Sequence, residues 1–305
     1  MSQIDLSVKI GNLNLKNPVM LASGTVGYGN EISEFIDLSK IGGIVTKSIS
    51  LEPRKGNPPQ RIVETASGML NAIGLTNVGI EVFIKEKIPF LQKLNSTLIC
   101  NIAASSIEEY EKCVEILDGE DTVKAFEINV SCPNVKEGGL IFGNDINAVG
   151  RITERVRAKT NKPIIIKLSP NNSNIAEYAK VVKSEGGDAV SAINTLVGTS
   201  FDIYSKKPKI KNVTGGLSGP AIKPVALAKV LEISKAVDIP IIGIGGIVNW
   251  KDAIEFMIVG ASAFQIGTIN FVNPKAGIEI LEGIENYCKE TSTDKLSSII
   301  ASRLL

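Results

Sequence analysis

Eight short apolar runs recur along the chain, each closing in small or polar residues. They are 18–23 (PVMLAS), 43–48 (GIVTKS), 97–103 (TLICNIA), 125–131 (AFEINVS), 163–169 (PIIIKLS), 189–195 (AVSAINT), 240–246 (PIIGIGG) and 261–268 (ASAFQIGT). Amphipathic stretches lie between or after them, at 31–38, 78–90, 107–117, 146–159, 175–185, 220–236, 250–259 and 274–289. Continuously apolar strands alternating with helices predict a parallel sheet covered on both faces. Eight such units, with no sign of a second domain in 305 residues, predict an α/β chain folded as a (β/α)8 TIM barrel rather than a doubly wound open sheet. The expected domain organisation is one unit over 1–305. The segment 8–15 (VKIGNLNL) alternates around Gly11-Asn12 and predicts a small N-terminal hairpin ahead of the barrel. Three connections are long, 49–77, 132–145 and 196–219, and in a barrel all three emerge at the catalytic face. Long loops in a compact domain are functional or disordered, and the Pro-rich 49–59 segment is compatible with either.

Composition narrows the chemistry. Lys and Arg number 33 against 32 Asp and Glu, which leaves no basic excess for a nucleic-acid footprint. No apolar run reaches the ~18–20 residues of a membrane span. The opening MSQIDLSVKI has no signal-peptide core, so the expected location is cytoplasmic. The cysteines at 100, 113, 132 and 288 have neither zinc-pair nor ferredoxin spacing, and no metal site is expected. In a reducing compartment they are not expected to form disulfides. The chain has no histidine, which excludes His triads, His metal sites and a His base. Proton transfer must use Cys, Lys, Tyr, Asp or Glu.

The stretch 125–139 (AFEINVSCPNVKEGG) combines a strand end, a thiol and a glycine-hinged loop. Asn129 ends the strand, Pro133 stops the ladder, and Cys132 lies just beyond. Most cysteines are inert buried hydrophobes, and that reading fits Cys100, Cys113 and Cys288. Cys132 differs because its loop faces the predicted site; its thiolate is the candidate base. The last two strands end in Gly245-Gly246 and Gly267-Thr268. Loops after strands seven and eight of a barrel often bind phosphate, because glycine lets an anion approach backbone amides. Tight turns alone would also explain each pair; both pairs in the right two strands favour the anion. Gly215–Pro220 (GGLSGP) supplies a third glycine loop, with Ser218 and Gly219 as candidates for the same anion. Lys47 and Lys167 end two different strands. Each could simply snorkel to solvent, but two converging on one mouth suit the stabilisation of developing negative charge. Asn71, Asn101, Asn129 and Asn194 sit at strand ends or in a mouth loop. Together they suit a flat heterocycle carrying C=O and N–H groups, although asparagine is also an ordinary turn residue.

Apart from Asn101, these candidate residues fall in runs that resemble class 1 dihydroorotate dehydrogenases, and among them the NAD-linked class 1B catalytic subunits. The resemblance covers 10–271 and is carried by LASGTVGYG (21–29), VTKS (45–48), SGMLNAIGL (67–75), NVSCPNVKEGG (129–139), IKLSPN (166–171), INTLVG (193–198), TGGLSGPAIKP (214–224), IIGIGGI (241–247) and FQIGT (264–268). Val26 stands where the family often has Phe, and 199–213 is more individual. The resemblance implies an FMN enzyme of pyrimidine biosynthesis that oxidises (S)-dihydroorotate to orotate. It implies Cys132 as the base that takes the C5 proton while hydride leaves C6 for the flavin. It implies substrate contacts at Lys47, Asn71, Ala72, Ile73, Gly74, Leu75, Asn129, Asn194 and Thr195. It implies FMN contacts at Ser23, Lys47, Ser48, Asn101, Asn129, Lys167, Ile193, Gly219, Gly245, Gly246, Gly267 and Thr268. The loop from Cys132 to Gly139 would close over the substrate. Class 1B further implies a homodimer core joined to an iron–sulfur subunit carrying FAD and a [2Fe–2S] cluster, which passes electrons to NAD+. The rivals are a class 1A-like homodimer using fumarate, another FMN barrel reductase such as a tRNA dihydrouridine synthase, and a non-catalytic flavin-binding module. Near-zero net charge disfavours the tRNA enzyme, and Cys132 between Asn129 and the Gly138-Gly139 hinge speaks against the module.

Overall fold

A computed structural model describes residues 4–130 and 142–301. All eight expected strands form, and they close into one parallel barrel in chain order. We label them β1 (Val19–Leu21), β2 (Gly43–Val45), β3 (Thr97–Ile102), β4 (Val123–Asn129), β5 (Ile164–Lys167), β6 (Ala189–Ala192), β7 (Ile241–Ile244) and β8 (Ala263–Ile266). Closure is made by β8 pairing β1, with Phe264 opposite Val19 and Ile266 opposite Leu21. The closed ring leaves no unpaired edge.

Side chains of period two divide the strands between two cores. Leu21, Ile44, Cys100, Phe126, Ile166, Val190 and Phe264 face outward into the layer shared with the helices. Met20, Val45, Ile99, Ala125, Ile165, Ala189, Ile242 and Ala263, one from each strand, form a separate inner layer. The expected hairpin, Val8–Ile10 paired with Leu13–Leu15, packs Val8, Ile10, Leu13 and Leu15 onto that inner layer and plugs the barrel floor. Two residues further along, the inward positions turn polar: Asn101, Glu127, Lys167, Ser191 and Gln265 are all buried. The barrel therefore has an apolar floor and a polar upper storey.

The long helices match expectation closely, for example Ile107–Asp118, Ile146–Arg157 and Ile175–Ser184. The first is capped by Ser106, whose hydroxyl accepts from the Glu109 N–H. Two expected helices differ. The 31–38 stretch is helical only over Asn30–Ser33, followed by a 3-10 turn at Leu38–Lys40. The 78–90 stretch contains a π segment at Phe83–Lys87.

The largest departure lies in the long connections. Residues from 49–77 and 196–219 build a four-stranded antiparallel sheet: Leu196–Thr199, Thr214–Ser218, Gly68–Asn71 and Ile62–Thr65, in that order. The expected glycine loop at Gly215–Pro220 is thus mostly strand. The 49–59 segment is tied down as well. Arg54 and Asn77 exchange two backbone hydrogen bonds at 3.0 Å, and the Arg54 guanidinium pairs with Glu109 at 3.3 Å. The expected loop over Cys132–Gly139 lies outside the described residues. Among the described residues no helix is long and apolar enough to cross a membrane.

Candidate active site

At the C-terminal ends of the barrel strands, under the antiparallel sheet, lies a cleft of about 570 Å³. That is the size range of small-molecule and cofactor sites, ~300–1,000 Å³. Of the described candidates, Ser23, Lys47, Ser48, Asn71, Ala72, Ile73, Gly74, Leu75, Asn129, Lys167, Ile193, Asn194, Thr195, Gly219, Gly245, Gly246, Gly267 and Thr268 all line it. Asn101 does not: it is fully buried behind Ser48, whose hydroxyl donates to Asn101 Oδ1 at 2.6 Å. Cys132 lies outside the described residues. Ser169, Asn171, Met69 and Phe271 also line the cleft and were not singled out from the sequence.

One end of the cleft is built from backbone. Gly245 and Gly246, just past β7, have φ of 133° and 73°. These are left-handed conformations that side chains rarely adopt. At Gly246 a Cβ would also lie 2.9 Å from the Gly219 carbonyl oxygen. Gly267, just past β8, is different. Among the described residues a Cβ there would meet only Ala22 Cβ at 3.6 Å and Thr25 Cγ2 at 3.8 Å, ordinary contacts, so none of them demands glycine. The open side of Gly267 is the cleft. The N–H groups of Gly246, Ile247, Gly267 and Thr268 donate to no acceptor among the described residues. Backbone donors are rarely left unpaired away from water. Four around one cleft make a cradle for an anion such as a phosphate.

The other end carries amides and a cation. Asn129 is held at the end of β4, where Tyr110 donates its hydroxyl to the Asn129 carbonyl at 2.8 Å. Asn194 Nδ2 donates to Asn129 Oδ1 at 3.2 Å. Asn71 Nδ2 donates to the Gly216 carbonyl at 3.3 Å, fixing it within the antiparallel sheet. Asn57 secures the 72–73 backbone by donating to the Ala72 carbonyl and taking its own N–H to Ile73. Lys47 is half-buried and has no carboxylate within salt-bridge distance among the described residues. Burial pushes its pKa down, and the nearby Arg61 charge adds to this. Glu31 attracts it only from beyond salt-bridge range, and a partly desolvated cation of this kind is suited to a carboxylate ligand.

The other cysteines fit the inert reading. Cys100 and Cys113 are fully buried and Cys288 nearly so. Burial raises all three thiol pKa values, that of Cys113 to about 12. Among the described residues no group of three or more His, Cys, Asp or Glu could hold a metal ion.

Fold and cleft together define the class: a (β/α)8 barrel whose anion cradle and amide cluster meet at the C-terminal strand ends. A family model described as dihydroorotate dehydrogenase matches residues 5–288. Relatives named dihydroorotate dehydrogenase B (NAD(+)), catalytic subunit, are similar across nearly the whole chain. The relative from Trichlorobacter lovleyi is 52% identical over 97% of this chain and 98% of its own. Those from Geotalea uraniireducens and Bacteroides thetaiotaomicron are 50% and 49% identical, over 99% and 98% of both chains. The chain belongs to the dihydroorotate dehydrogenase family.

Proposed function

We propose that this chain is the catalytic subunit of an NAD-linked dihydroorotate dehydrogenase, oxidising (S)-dihydroorotate to orotate with FMN in the cleft. The observation that carries the reading is the division of one cleft into a backbone-donor end and an amide-and-lysine end. A flavin phosphate fits the four N–H groups around Gly246 and Gly267 that have no acceptor among the described residues. The missing side chain at Gly267, unexplained by the packing of the described residues, fits the close approach of the same group. Ser23, Ser48, Asn101, Lys167, Ile193, Gly219, Gly245 and Thr268 belong to the same proposal as cofactor neighbours, Asn101 acting through Ser48.

FMN, when bound, supplies the acceptor for the hydride that leaves C6 of the substrate. The chain's own residues do the rest. Lys47 meets the substrate carboxylate, and Asn71, Asn129, Asn194 and Thr195 meet the ring amides, with the 72–75 backbone alongside. Fixing the ring this way converts encounter into a defined geometry. Cys132 takes the C5 proton, so that loss of a proton and a hydride leaves the C5=C6 bond of orotate. With no histidine in the chain, a thiolate is the base that the resemblance assigns. Lys167 sets a positive charge beside the cofactor. Electrons then pass to a partner subunit carrying FAD and a [2Fe–2S] cluster, which reduces NAD+, and the relatives' name as catalytic subunits supports a partner of this kind.

The test is purification of the chain alone and with co-expressed partner. FMN released on denaturation, and dihydroorotate-dependent NAD+ reduction only in the complex, are the expected results. A colourless chain, or NAD+ reduction by the chain alone, would contradict the reading.

A further inference from the structure

The polar storey of the barrel contains one charged residue that the proposed chemistry does not use. Glu127, on β4, is fully buried and lies beneath the cleft rather than in its wall. A buried carboxylate persists only where its charge is met. Asn101 Nδ2 donates to Oε1 at 2.6 Å; Gln265 Nε2 and Ser191 Oγ donate to Oε2 at 2.6 and 2.9 Å. Among the described residues the charge that faces it is Lys167, whose Nζ is 3.6 Å from Oε1. Five strands thus converge on one carboxylate: β3, β4, β5, β6 and β8.

Two consequences follow from this geometry. The first concerns polarity. A carboxylate only accepts, so the Asn101 amide is fixed with its nitrogen toward Glu127 and its oxygen away. That oxygen accepts from Ser48 Oγ at 2.6 Å. The single Ser48 proton is therefore spent inward, and toward the cleft Ser48 presents lone pairs alone. The second concerns charge. At 3.6 Å Lys167 is beyond hydrogen-bond range of Glu127, so the pair is held by attraction while the ammonium keeps its donors for the cleft it lines. Its positive charge is offset from below.

We infer that Glu127 is a positioning residue that sets the charge and the donor–acceptor polarity of the cofactor side of the cleft, acting through Lys167 and through the Asn101–Ser48 pair. The inference rests on the FMN reading. It predicts that Glu127 holds the bound flavin's potential down by offsetting Lys167.

The experiment uses the flavin-loaded chain and reads the flavin midpoint potential and the affinity for sulfite, an anion whose binding to flavin strengthens with nearby positive charge. Glu127→Gln removes the negative charge with little change of shape. The potential should rise and sulfite should bind about tenfold more tightly, equivalent to ~1.4 kcal/mol. In the Glu127→Gln, Lys167→Met double variant, where both charges are gone, both quantities should return toward wild type. A loaded Glu127→Gln chain with wild-type potential and sulfite affinity overturns the inference and leaves the FMN reading standing. A wild-type chain that binds no FMN overturns both. Should Glu127→Gln fail to fold, Glu127→Asp keeps the charge but withdraws it from Lys167. It should give a smaller change of the same sign, and no change there overturns the inference.

Discussion

Asn194 donates its side-chain amide to Asn129 Oδ1 across 3.2 Å, tying the chain just past β6 to the end of β4 inside the cleft. The Asn194 oxygen is also engaged, accepting from the Thr195 N–H at 2.8 Å. Two amides from different strands are thus oriented before any ligand arrives. Such preorganisation reduces what ordering the side chains costs on binding.

Asn194→Ala should accordingly weaken dihydroorotate binding more than flavin binding. Losing one polar contact and the alignment of Asn129 costs ~1–2 kcal/mol, roughly tenfold in KM. Steady-state kinetics beside the flavin-to-protein ratio checks this. Loss of flavin with unchanged KM would move Asn194 to the cofactor side.

Lys47 predicts a pH dependence. Burial lowers its pKa, with Arg61 contributing in the same direction, so the charged form is lost at lower pH than in an ordinary lysine. The substrate carboxylate is ionised throughout this range, so binding weakens as pH rises through the lowered lysine value. KM for dihydroorotate should climb on the alkaline side before the ordinary lysine range is reached, and Lys47→Arg should move that climb upward. Lys47→Ala should lower kcat/KM by about 2 kcal/mol, roughly thirtyfold. A KM flat across the alkaline range in the unaltered chain would refute the assignment.

The barrel was legible in the sequence because its strands are buried on both faces and read as unbroken apolar runs. The antiparallel sheet over the cleft was not. Ile62–Thr65 is alternately exposed and half-buried, and Thr214–Ser218 carries Gly215 and Gly216, which suppress any strand signal. Most of the candidate site was legible because strand ends carry polar residues at fixed places. Glu127, Ser191 and Gln265 were not picked out, although each is a polar residue inside an apolar run and lies two positions beyond an inward-facing core residue. Period two would have aimed all three into the barrel, but only the three-dimensional arrangement shows that they share one carboxylate.

Gly267 separates fold from function. A Cβ there makes ordinary contacts with Ala22 and Thr25 at 3.6 and 3.8 Å, so Gly267→Ala should leave the stability of the flavin-free protein within about 0.5 kcal/mol. FMN retention should nevertheless fall, since the methyl group enters the cleft. Thermal unfolding of the flavin-free protein and the FMN dissociation constant test the two halves. A destabilised fold with unchanged FMN affinity would contradict the cofactor assignment.

Thiol accessibility gives an independent check on Cys132. Cys100, Cys113 and Cys288 are buried, with thiol pKa values raised by that burial. Iodoacetamide on the native protein should therefore modify one cysteine, at 132, and dihydroorotate or orotate should protect it. Labelling of several positions, or labelling that survives in Cys132→Ala, would count against Cys132 as the reactive thiol.

The most direct measurement is anaerobic addition of dihydroorotate to the purified chain while the visible flavin absorbance is followed. The proposed chemistry requires bleaching in proportion to bound FMN, with orotate as the product, and much slower bleaching in Cys132→Ala although its FMN content is unchanged. An absorbance that stays constant on adding dihydroorotate to the flavin-loaded chain would contradict the proposed function.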